Sequence, residues 1–429
     1  MIPRDSVLSH LPSQELNAPC GKNQEENKEI QEPLKSRAPT NFQLIAMSVL
    51  GPFTMHLIIP AITPIQFEFG IDAGTAALLI SGTLWGIAGS TLFFGAFADR
   101  YGRRSMLIIG MGIFVLGSIM GLYGESASVV ILGRVIQGIG GATGMVISRA
   151  VVRDLYERDK GTSVLAYLTM AVMIAPMLSP AIAGNMVEYL GWRSIFEIAA
   201  ALGIVVWFWM MMRFTETLKE PIPMPNVLAL LQAYASVLRE PVFVLYSLIG
   251  TFVMTSFFSM MSGAPQVAEH TWGISRDELG YYLGIGATGM MISTYITARI
   301  AQVYDNNKLI LAGVGLVASG VLTSIALVSF GVDHPLALFG PMFLNGLGAG
   351  FVLPTSTAQA LSITPKMAGT ASGMMTFLQF IIAGIAAQMI GYFDHSSPWS
   401  IIGFMAVAVV LAAIMAVSAV SIARRRGLT

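Results

Sequence analysis

The sequence has few charged residues for its length. Only 11% of its 429 residues are Asp, Glu, Lys or Arg, whereas 55% are apolar. Soluble globular proteins carry about a quarter of their residues as charges, so this chain cannot cover itself with a polar surface. That excludes an ordinary soluble enzyme and a disordered protein, and it argues against nucleic-acid binding. The 24 basic and 24 acidic residues balance, so net charge indicates no particular partner.

Cysteine and the patterns of catalytic or metal sites are scarce as well. Cys20 is the single cysteine, which excludes an internal disulfide, and no residue spacing is typical of a metal site. The phosphate-binding pattern G-x-x-x-x-G-K-[ST] is absent, and no catalytic triad is visible. We therefore expect neither an enzyme nor an ATP-driven pump, and no bound cofactor. No apolar stretch lies near Met1, so we expect no cleaved signal peptide.

Long apolar stretches, in contrast, are abundant. A helix needs about 20 apolar residues to cross a bilayer, and the apolar share of this chain is enough for about twelve. The pattern predicts an all-α polytopic protein in the lipid bilayer. The twelve predicted spans are 42–66, 75–97, 106–123, 128–149, 162–187, 194–213, 242–264, 277–300, 308–330, 335–357, 367–392 and 399–422.

The longest polar interruption divides the predicted spans into six and six. We expect a disordered cytoplasmic tail over 1–41, a six-helix bundle over 42–213, a cytoplasmic linker over 214–241, a second bundle over 242–422 and a basic tail over 423–429. With the N-terminus inside, 21 of the 24 basic residues fall in inner segments and only Arg193 and Arg276 in outer loops. Because basic residues accumulate on the cytoplasmic side, both termini are predicted to be cytoplasmic.

The two halves repeat one another. The run QGIGG at 137–141 corresponds to NGLGA at 345–349, at an offset of 208 residues. The run GAFADRYGRR at 95–104 corresponds to ARIAQVYDNN at 298–307, at an offset of 203. An internal repeat of half the chain is typical of secondary transporters, whose substrate site lies near the bilayer midplane between the repeats.

The loop after the second predicted span resembles the signature loop of the major facilitator superfamily, G-x-x-x-D-R-x-G-R-[RK]. Gly95 permits close helix packing, Gly102 permits a tight turn, and Asp99 can accept from a helix N-terminus and pair with a nearby arginine. The resemblance implies a fold of two pseudo-symmetric six-helix bundles and a cytoplasmic latch that holds the outward-open state. The latch residues are Gly95, Asp99, Arg100, Gly102, Arg103 and Arg104.

Two further spans of the first half resemble motifs of proton-linked members. Arg134 and Gln137 in the fourth span match R-x-x-Q-G-x-G-[GA]. A charge inside a membrane helix costs several kcal/mol, which favours a functional role, with snorkelling to the outer surface as the alternative. The fifth span resembles the antiporter motif G-P-x-x-G-G, although Ala and Ser replace two of its glycines. We interpret its small residues and prolines as a hinge that is also a packing seam: Pro176, Ser179, Pro180 and Gly184.

Four runs narrow the resemblance to the bicyclomycin-resistance (Bcr/CflA) type of twelve-span drug:proton antiporters. They are SRAVVRDLY (148–156), GWRSIF (191–196), GLGAGFVLPTSTAQAL (346–361) and AGTASGMMTFLQF (368–380). The resemblance implies a monomer in the bacterial inner membrane. It also implies efflux of small organic compounds, with a proton gradient as the source of energy.

The first span departs from that subfamily. It usually reads D-M-Y-L-P-A, with a carboxylate four residues before the proline, whereas His56 holds that position here. A neutral histidine can bind a proton or form hydrogen bonds, or it can simply satisfy a backbone carbonyl. Glu197, about one turn inside the sixth span, is the nearest acid. The candidates for proton and substrate coupling are His56, Arg134, Gln137 and Glu197.

Spans one, four, seven and ten line the path in this superfamily, with span eleven nearby. The cavity candidates are Phe53, Phe257, Phe258, Phe343, Asn345 and Gln379. Arg134 without an acidic partner favours an anionic substrate.

Three functions stay open. They are multidrug efflux, a specific uptake or export carrier for an amino acid, nucleoside or siderophore-like metabolite, and a non-transporting membrane sensor that uses its tail.

Overall fold

The structure, a computed structural model, describes residues 39–426 apart from 157, 219, 221–226, 302, 365–366 and 394–396. Most of the predicted N-terminal tail and the last three residues lie outside the described residues. Every regular element in the described part of the chain is a helix. The predicted all-α class is confirmed.

Each of the twelve predicted spans coincides with a helical segment. Spans 1 to 12 are Asn41–Phe69, Ala73–Tyr101, Arg103–Leu122, Ala127–Leu155, Arg158–Leu190, Ser194–Arg213, Pro241–Trp272, Arg276–Ile300, Asn306–Ser329, Leu336–Ile363, Ala368–Ile390 and Trp399–Arg425. By length and composition, eleven helices among the described residues can cross a membrane. Span 8 is helical over 25 residues but is too rich in Gly, Ser, Thr and Tyr to count among them. Its small residues pack against spans 5 and 10.

Prolines interrupt two of the spans. In span 1 the first helix ends at Leu57, a 3-10 turn covers Ile59–Ala61, and a second helix runs over Ile62–Phe69. Pro60 lies in that turn, where its missing N–H and fixed φ are tolerated. Span 10 likewise begins with a single turn, Leu336–Phe339, before its main helix starts at Met342. The break in span 1 places His56 on the last turn of a helix.

The linker contains a helix that the sequence prediction missed. Val227–Leu238 is helical, with Tyr234 and Val237 buried and Leu231 exposed. The segment was read as polar because its charges and prolines cluster at its ends, whereas every residue of the helix except Gln232 and Ser236 is apolar. The linker therefore supplies a short apolar helix between the two halves.

Close glycine contacts recur in both halves. A Cβ on Gly138 of span 4 would clash with the carbonyl of Thr83 in span 2. A Cβ on Gly346 of span 10 would clash with the carbonyl of Gly286 in span 8. The two contacts correspond: Gly346 lies 208 residues after Gly138, and Gly286 lies 203 residues after Thr83. The expected pseudo-symmetric repeat is thus present in the packing as well as in the sequence.

The two halves meet along four pairs of spans. Span 2 packs against span 11, span 5 against span 8, and span 1 against both span 7 and span 8. One buried apolar cluster crosses this seam, from Leu57 and Leu84 of the first half to Phe257 and Met375 of the second. Residues near the middle of spans 1 and 7 therefore lie between the two halves.

Candidate functional site

His56 lies at the seam between the halves. Its side chain is only 5% exposed, and Nδ1 lies 2.8 Å from the carbonyl oxygen of Pro52, one turn earlier. Because a carbonyl oxygen only accepts, Nδ1 carries the proton and Nε2 is left as an acceptor. Nε2 is buried and has no hydrogen-bond partner among the described residues. The span therefore presents a neutral imidazole with one free acceptor.

Aromatic rings of the second half enclose His56. The imidazole stacks on Phe258 with ring centroids 6.2 Å apart and meets Phe257 edge-on at 6.3 Å. Phe258 in turn contacts Phe380 of span 11 at 6.2 Å. Phe53, one turn before His56, is half-buried and packs against the same apolar cluster. Three of the residues singled out by the sequence, His56, Phe257 and Phe258, thus contact one another at the seam.

Arg134 is buried rather than snorkelling, with an exposure of 2%. Its Nε donates to the carbonyl of Leu79 in span 2 at 3.2 Å. Nη1 and Nη2 donate to the carbonyls of Thr54 and Met55 in span 1, each at 3.4 Å. Among the described residues the guanidinium has no carboxylate partner, and three of its donors are directed at backbone oxygens. The unpaired cation expected from the sequence is therefore partnered, and its contacts tie span 4 to spans 1 and 2.

Gln137 extends this network to span 3. Its side-chain oxygen accepts from Nη1 of Arg134, and its nitrogen donates to the hydroxyl of Ser118 at 2.8 Å. All three side chains are buried. Arg134 and Gln137 therefore join four spans of the first half, and Met55 brings that network to the residue beside His56.

Glu197 does not join this cluster. It lies in the first turn of span 6, and its side chain is exposed. Of the four coupling candidates, the structure brings His56, Arg134 and Gln137 together and leaves Glu197 apart.

The second half contributes a second buried polar group. Asn345 of span 10 is fully buried, and its side-chain nitrogen donates to the hydroxyl of Ser256 in span 7 at 3.0 Å. Its side-chain oxygen has no partner among the described residues. Phe343 and Gln379 are half-buried, and Gln379 faces Gly250 of span 7. Ser256 was not predicted, because a serine in an apolar run carries no distinctive pattern.

The latch loop is built around Arg103. This side chain is 2% exposed and bonds to Asp99 at 2.6 Å and to Asp154 of span 4 at 3.0 Å. Gly102 adopts φ +91°, which confirms the tight turn. A Cβ on Gly95 would meet no atom of the described residues within 4 Å, so the expected close packing there is wrong.

An acid of the linker, not Asp99, caps the next helix. Both carboxylate oxygens of Glu216 accept from the backbone N–H groups that begin span 3, at 2.9 Å from Arg103 and 3.1 Å from Arg104. The side chain of Arg104 donates to the carbonyls of Met211 and Phe214 at the end of span 6, whereas Arg100 is exposed. The sequence offered no local signal for Glu216, which lies over a hundred residues from its partners.

The proline-rich stretch of span 5 lies on the seam. The helix runs without a break from Arg158 to Leu190 through Pro176 and Pro180. The carbonyl of Pro180 lies against Gly280 of span 8, and Gly184 lies against the backbone of Arg276. Among the described residues, Ser179 bonds within its own helix, at the carbonyl of Ala175. The packing seam is therefore observed, while the hinge remains a prediction.

Comparisons with known proteins agree with this architecture. The family model described as the Major Facilitator Superfamily matches residues 44–388. The chain is 25% identical over 347 residues to the bicyclomycin resistance protein homolog of Haemophilus influenzae, covering 80% of this chain and 86% of the relative. It is 27% identical over 348 residues to multidrug resistance protein D of Escherichia coli, covering 81% and 86%. It is also 27% identical over 401 residues to a chloramphenicol resistance protein of Pseudomonas aeruginosa, covering 91% and 93%.

A solved structure shares the fold. The chain superposes on a bacterial homolog of the human lysosomal transporter Spinster, in an inward-facing and unoccupied conformation, with a TM-score of 0.65. The match covers 88% of this chain and 94% of that one at 15% identity. At this identity the likeness establishes the fold alone.

Proposed function

Because the chain belongs to the major facilitator superfamily, we propose that this multi-pass membrane transporter exports small organic compounds in exchange for protons. Relatives named for resistance to bicyclomycin, chloramphenicol and multiple drugs support efflux. The two repeated halves and the seam between them support alternating access, in which the halves rock about a central site.

The observation that carries the proposal is the position of His56. It is a buried side chain at the seam that can bind and release a proton. When the two halves separate on the outer side of the membrane, a group at this place is open to the outside. When they separate on the cytoplasmic side, the same group is open to the cytoplasm. A proton that binds Nε2 on one side can therefore leave on the other, which couples the proton gradient to the movement of substrate.

The charge balance around His56 supports this coupling. Among the described residues, no Asp or Glu side chain is buried. A protonated imidazole between Phe257 and Phe258 therefore has no counterion, and an uncompensated buried charge is costly. Proton binding should then favour separation of span 1 from span 7, which links protonation to the opening of the seam.

An anionic substrate loses one argument, because the donors of Arg134 are directed at the carbonyls of Thr54, Met55 and Leu79. The specific carrier for an amino acid, nucleoside or siderophore-like metabolite, which the histidine at position 56 suggested, stays the alternative. The sensor alternative depended on the tail, most of which lies outside the described residues.

The test is transport in proteoliposomes with and without an imposed pH gradient, with chloramphenicol as the substrate. His56→Gln preserves a side chain that can donate to Pro52 but removes the titrating group. We expect the wild type to accumulate substrate in response to the gradient and the variant to move it only downhill. His270→Gln, which changes an exposed histidine at the end of span 7, is the control. Full gradient dependence in His56→Gln would overturn the coupling role and direct attention to Glu197.

A further inference from the structure

The linker helix, Val227–Leu238, is held to the rest of the protein along one side. Successive residues of an α-helix lie about 100° apart around its axis, so each position belongs to a definite side. One side carries Tyr234 and Val237, which are buried, and Leu230 and Ala233, which are half-buried. The helix packs against spans 7 and 11, and this is the side that docks on them.

The adjoining side of the helix is apolar and exposed. Leu228, Leu231 and Leu238 lie on it with exposures of 60%, 54% and 41%, and the exposed Ala235 lies between them. Large apolar side chains that are exposed together on so short a helix indicate a surface that contacts something other than water. The described part of the chain leaves this side open.

The remaining side of the helix is exposed and polar. It carries Gln232 and Ser236, the two polar residues within the helix, and the exposed Arg239 continues it beyond the last turn. A helix with one apolar and one polar exposed side is typical of a segment at the boundary between lipid and water. Because the linker lies on the cytoplasmic side, the boundary concerned is the inner surface of the bilayer.

Contacts with spans 2 and 11 show which side of the helix is turned toward the bilayer. The hydroxyl of Ser236 donates to the sulfur of Met367, which immediately precedes span 11, at 3.5 Å. The hydroxyl of Tyr234 lies against Gly373, six residues (367 to 373) or about 9 Å further into the membrane. It also donates to the carbonyl of Leu92, nine residues (92 to 101) or about 13 Å before the cytoplasmic end of span 2. Tyr234 therefore points toward the bilayer centre, and the helix lies beside the ends of the spans.

The leucines lie on the side of the helix that Tyr234 marks as the deeper one. Around the axis, Leu238 and Leu231 are about 40° and 60° from Tyr234. Gln232 and Ser236 are each about 160° from it. The apolar side is thus turned toward the bilayer, and the polar side is turned toward the cytoplasm.

Exposed aromatic residues of span 2 lie at the same height. Phe93, which follows Leu92, is 39% exposed, and Tyr101, the last residue of the span, is 60% exposed. Aromatic side chains, tyrosine among them, are enriched where membrane proteins cross the bilayer surface. The leucine side of the linker helix therefore continues an apolar surface that span 2 already presents.

We propose that the linker helix is an interfacial helix whose leucine side inserts into the cytoplasmic leaflet, at the boundary between headgroups and acyl chains. Its partner is the lipid surface itself, which buries apolar side chains without requiring a specific headgroup. Tyr234 joins the helix to span 2 of the first half and to span 11 of the second. The leaflet therefore holds a segment that contacts both halves, at a place separate from His56.

The experiment measures where single side chains of this helix lie relative to the bilayer. A nitroxide label is attached to the cysteine of Leu231→Cys or of Gln232→Cys, in the full-length protein that also carries Cys20→Ser. Both positions are exposed, so neither label disturbs the packing. In nanodiscs of phosphatidylcholine and phosphatidylglycerol, collisions of the label with oxygen, which concentrates in lipid, are compared with collisions with nickel ethylenediaminediacetate, which stays in water.

The ratio of oxygen to nickel collisions should be at least about fivefold higher for Leu231→Cys than for Gln232→Cys, because an interfacial helix inserts its apolar side about 5–10 Å into the boundary region. Two further labelled variants calibrate the scale. Val410→Cys, at an exposed position in the middle of span 12, gives the ratio for lipid, and Glu125→Cys, in an exposed outer loop, gives the ratio for water.

The pattern of ratios decides the outcome. A ratio for Leu231→Cys equal to that for Gln232→Cys or Glu125→Cys would place the leucines in water and overturn the proposal. Low collision rates with both reagents would show that protein, from this chain or from a second copy, covers this side, which would overturn it as well. A high ratio for Leu238→Cys and a low one for Ser236→Cys, in step with the helical period, would support it.

Discussion

The hydroxyl of Ser81 in span 2 donates a hydrogen bond of 2.6 Å to the side-chain oxygen of Gln388 in span 11. The nitrogen of the same glutamine donates to the carbonyl of Gly74 at 2.8 Å. Span 2 belongs to the first half and span 11 to the second, and these residues lie toward the predicted outer side. One glutamine therefore fastens the two halves at the end that must part when the transporter faces outward.

Gln388→Leu should shift the protein toward the outward-open state. It removes two hydrogen bonds across the seam, each worth about 0.5–1.5 kcal/mol, and the two states of a transporter differ by only a few kcal/mol. The measurement is the distance distribution between spin labels at Glu125 and Phe330, in exposed outer loops of the two halves, after Cys20 is replaced. A larger fraction of long distances is expected. Thr323→Val, which removes a hydroxyl bonded within span 9, should leave the distribution unchanged, and an unchanged distribution in Gln388→Leu would contradict the role of this contact.

Gly346→Ala should destabilise the second half. The added methyl group would meet the carbonyl of Gly286, which belongs to another helix and cannot rotate away. Overpacking of this kind costs about 1–3 kcal/mol, which should appear as a lower Tm in detergent. Gly315→Ala is the matched change, because its methyl group would meet no atom of the described residues within 4 Å. Gly315→Ala should therefore leave Tm unchanged or raise it slightly, since alanine favours the helix; equal Tm values for the two variants would show that the close approach is not limiting.

Loss of either acid at Arg103 should impair transport without removing the protein from the membrane. In Asp99→Asn and Asp154→Asn the buried guanidinium keeps only one carboxylate. A buried charge that loses a partner is destabilised locally, so the cytoplasmic latch should hold less firmly. Transport should fall at least about tenfold at unchanged membrane abundance, measured by uptake into vesicles and by immunoblot. Arg239→Gln, at an exposed linker position, serves as the control; wild-type transport in both acid variants would refute the latch assignment.

Tyr234→Phe should loosen the linker helix. The Tyr234 hydroxyl donates to the carbonyl of Leu92 in span 2 at 2.7 Å and lies beside Gly373 of span 11. Burial raises the pKa of Tyr234, so the hydroxyl stays protonated and remains a donor at neutral pH. Loss of one hydrogen bond, about 1 kcal/mol, should speed amide exchange in Val227–Leu238 about fivefold. Tyr304→Phe, at an exposed site, should not change the exchange of this helix, and protection as strong as in the wild type would show that the hydroxyl does not hold the linker in place.

Much of the fold follows from local pattern. Apolar runs of about 20 residues located all twelve helices, because a bilayer imposes that length on any helix that crosses it. The turn at Gly102 was predictable, since its φ of +91° is one that glycine adopts readily. The repeat at offsets near 205 residues predicted two similar halves, and the structure shows that glycines of both copies make close contacts between helices.

The partners of the polar residues could not be predicted, because they come from distant parts of the chain. The sequence suggested that Arg134 was unpaired, and only the crossing of spans 1, 2 and 4 brings the carbonyls of Thr54 and Leu79 to it. The partners of Glu216 at the start of span 3 and of Gln388 in span 2 are likewise distant in the sequence, and only the fold brings them together. The linker helix was missed for a different reason: its twelve residues are too few for a span, and prolines and charges lie close before them.

The glycine contacts between helices have a consequence for the gene. Nearly every change in the first or second base of a glycine codon introduces a side chain, and at Gly138 and Gly346 that side chain would collide with a neighbouring backbone. Mutations that alter transport should therefore accumulate among the cavity residues, while these two codons stay nearly invariant in a population under selection. The region of the gene that tolerates least variation would then be the one that never touches a substrate.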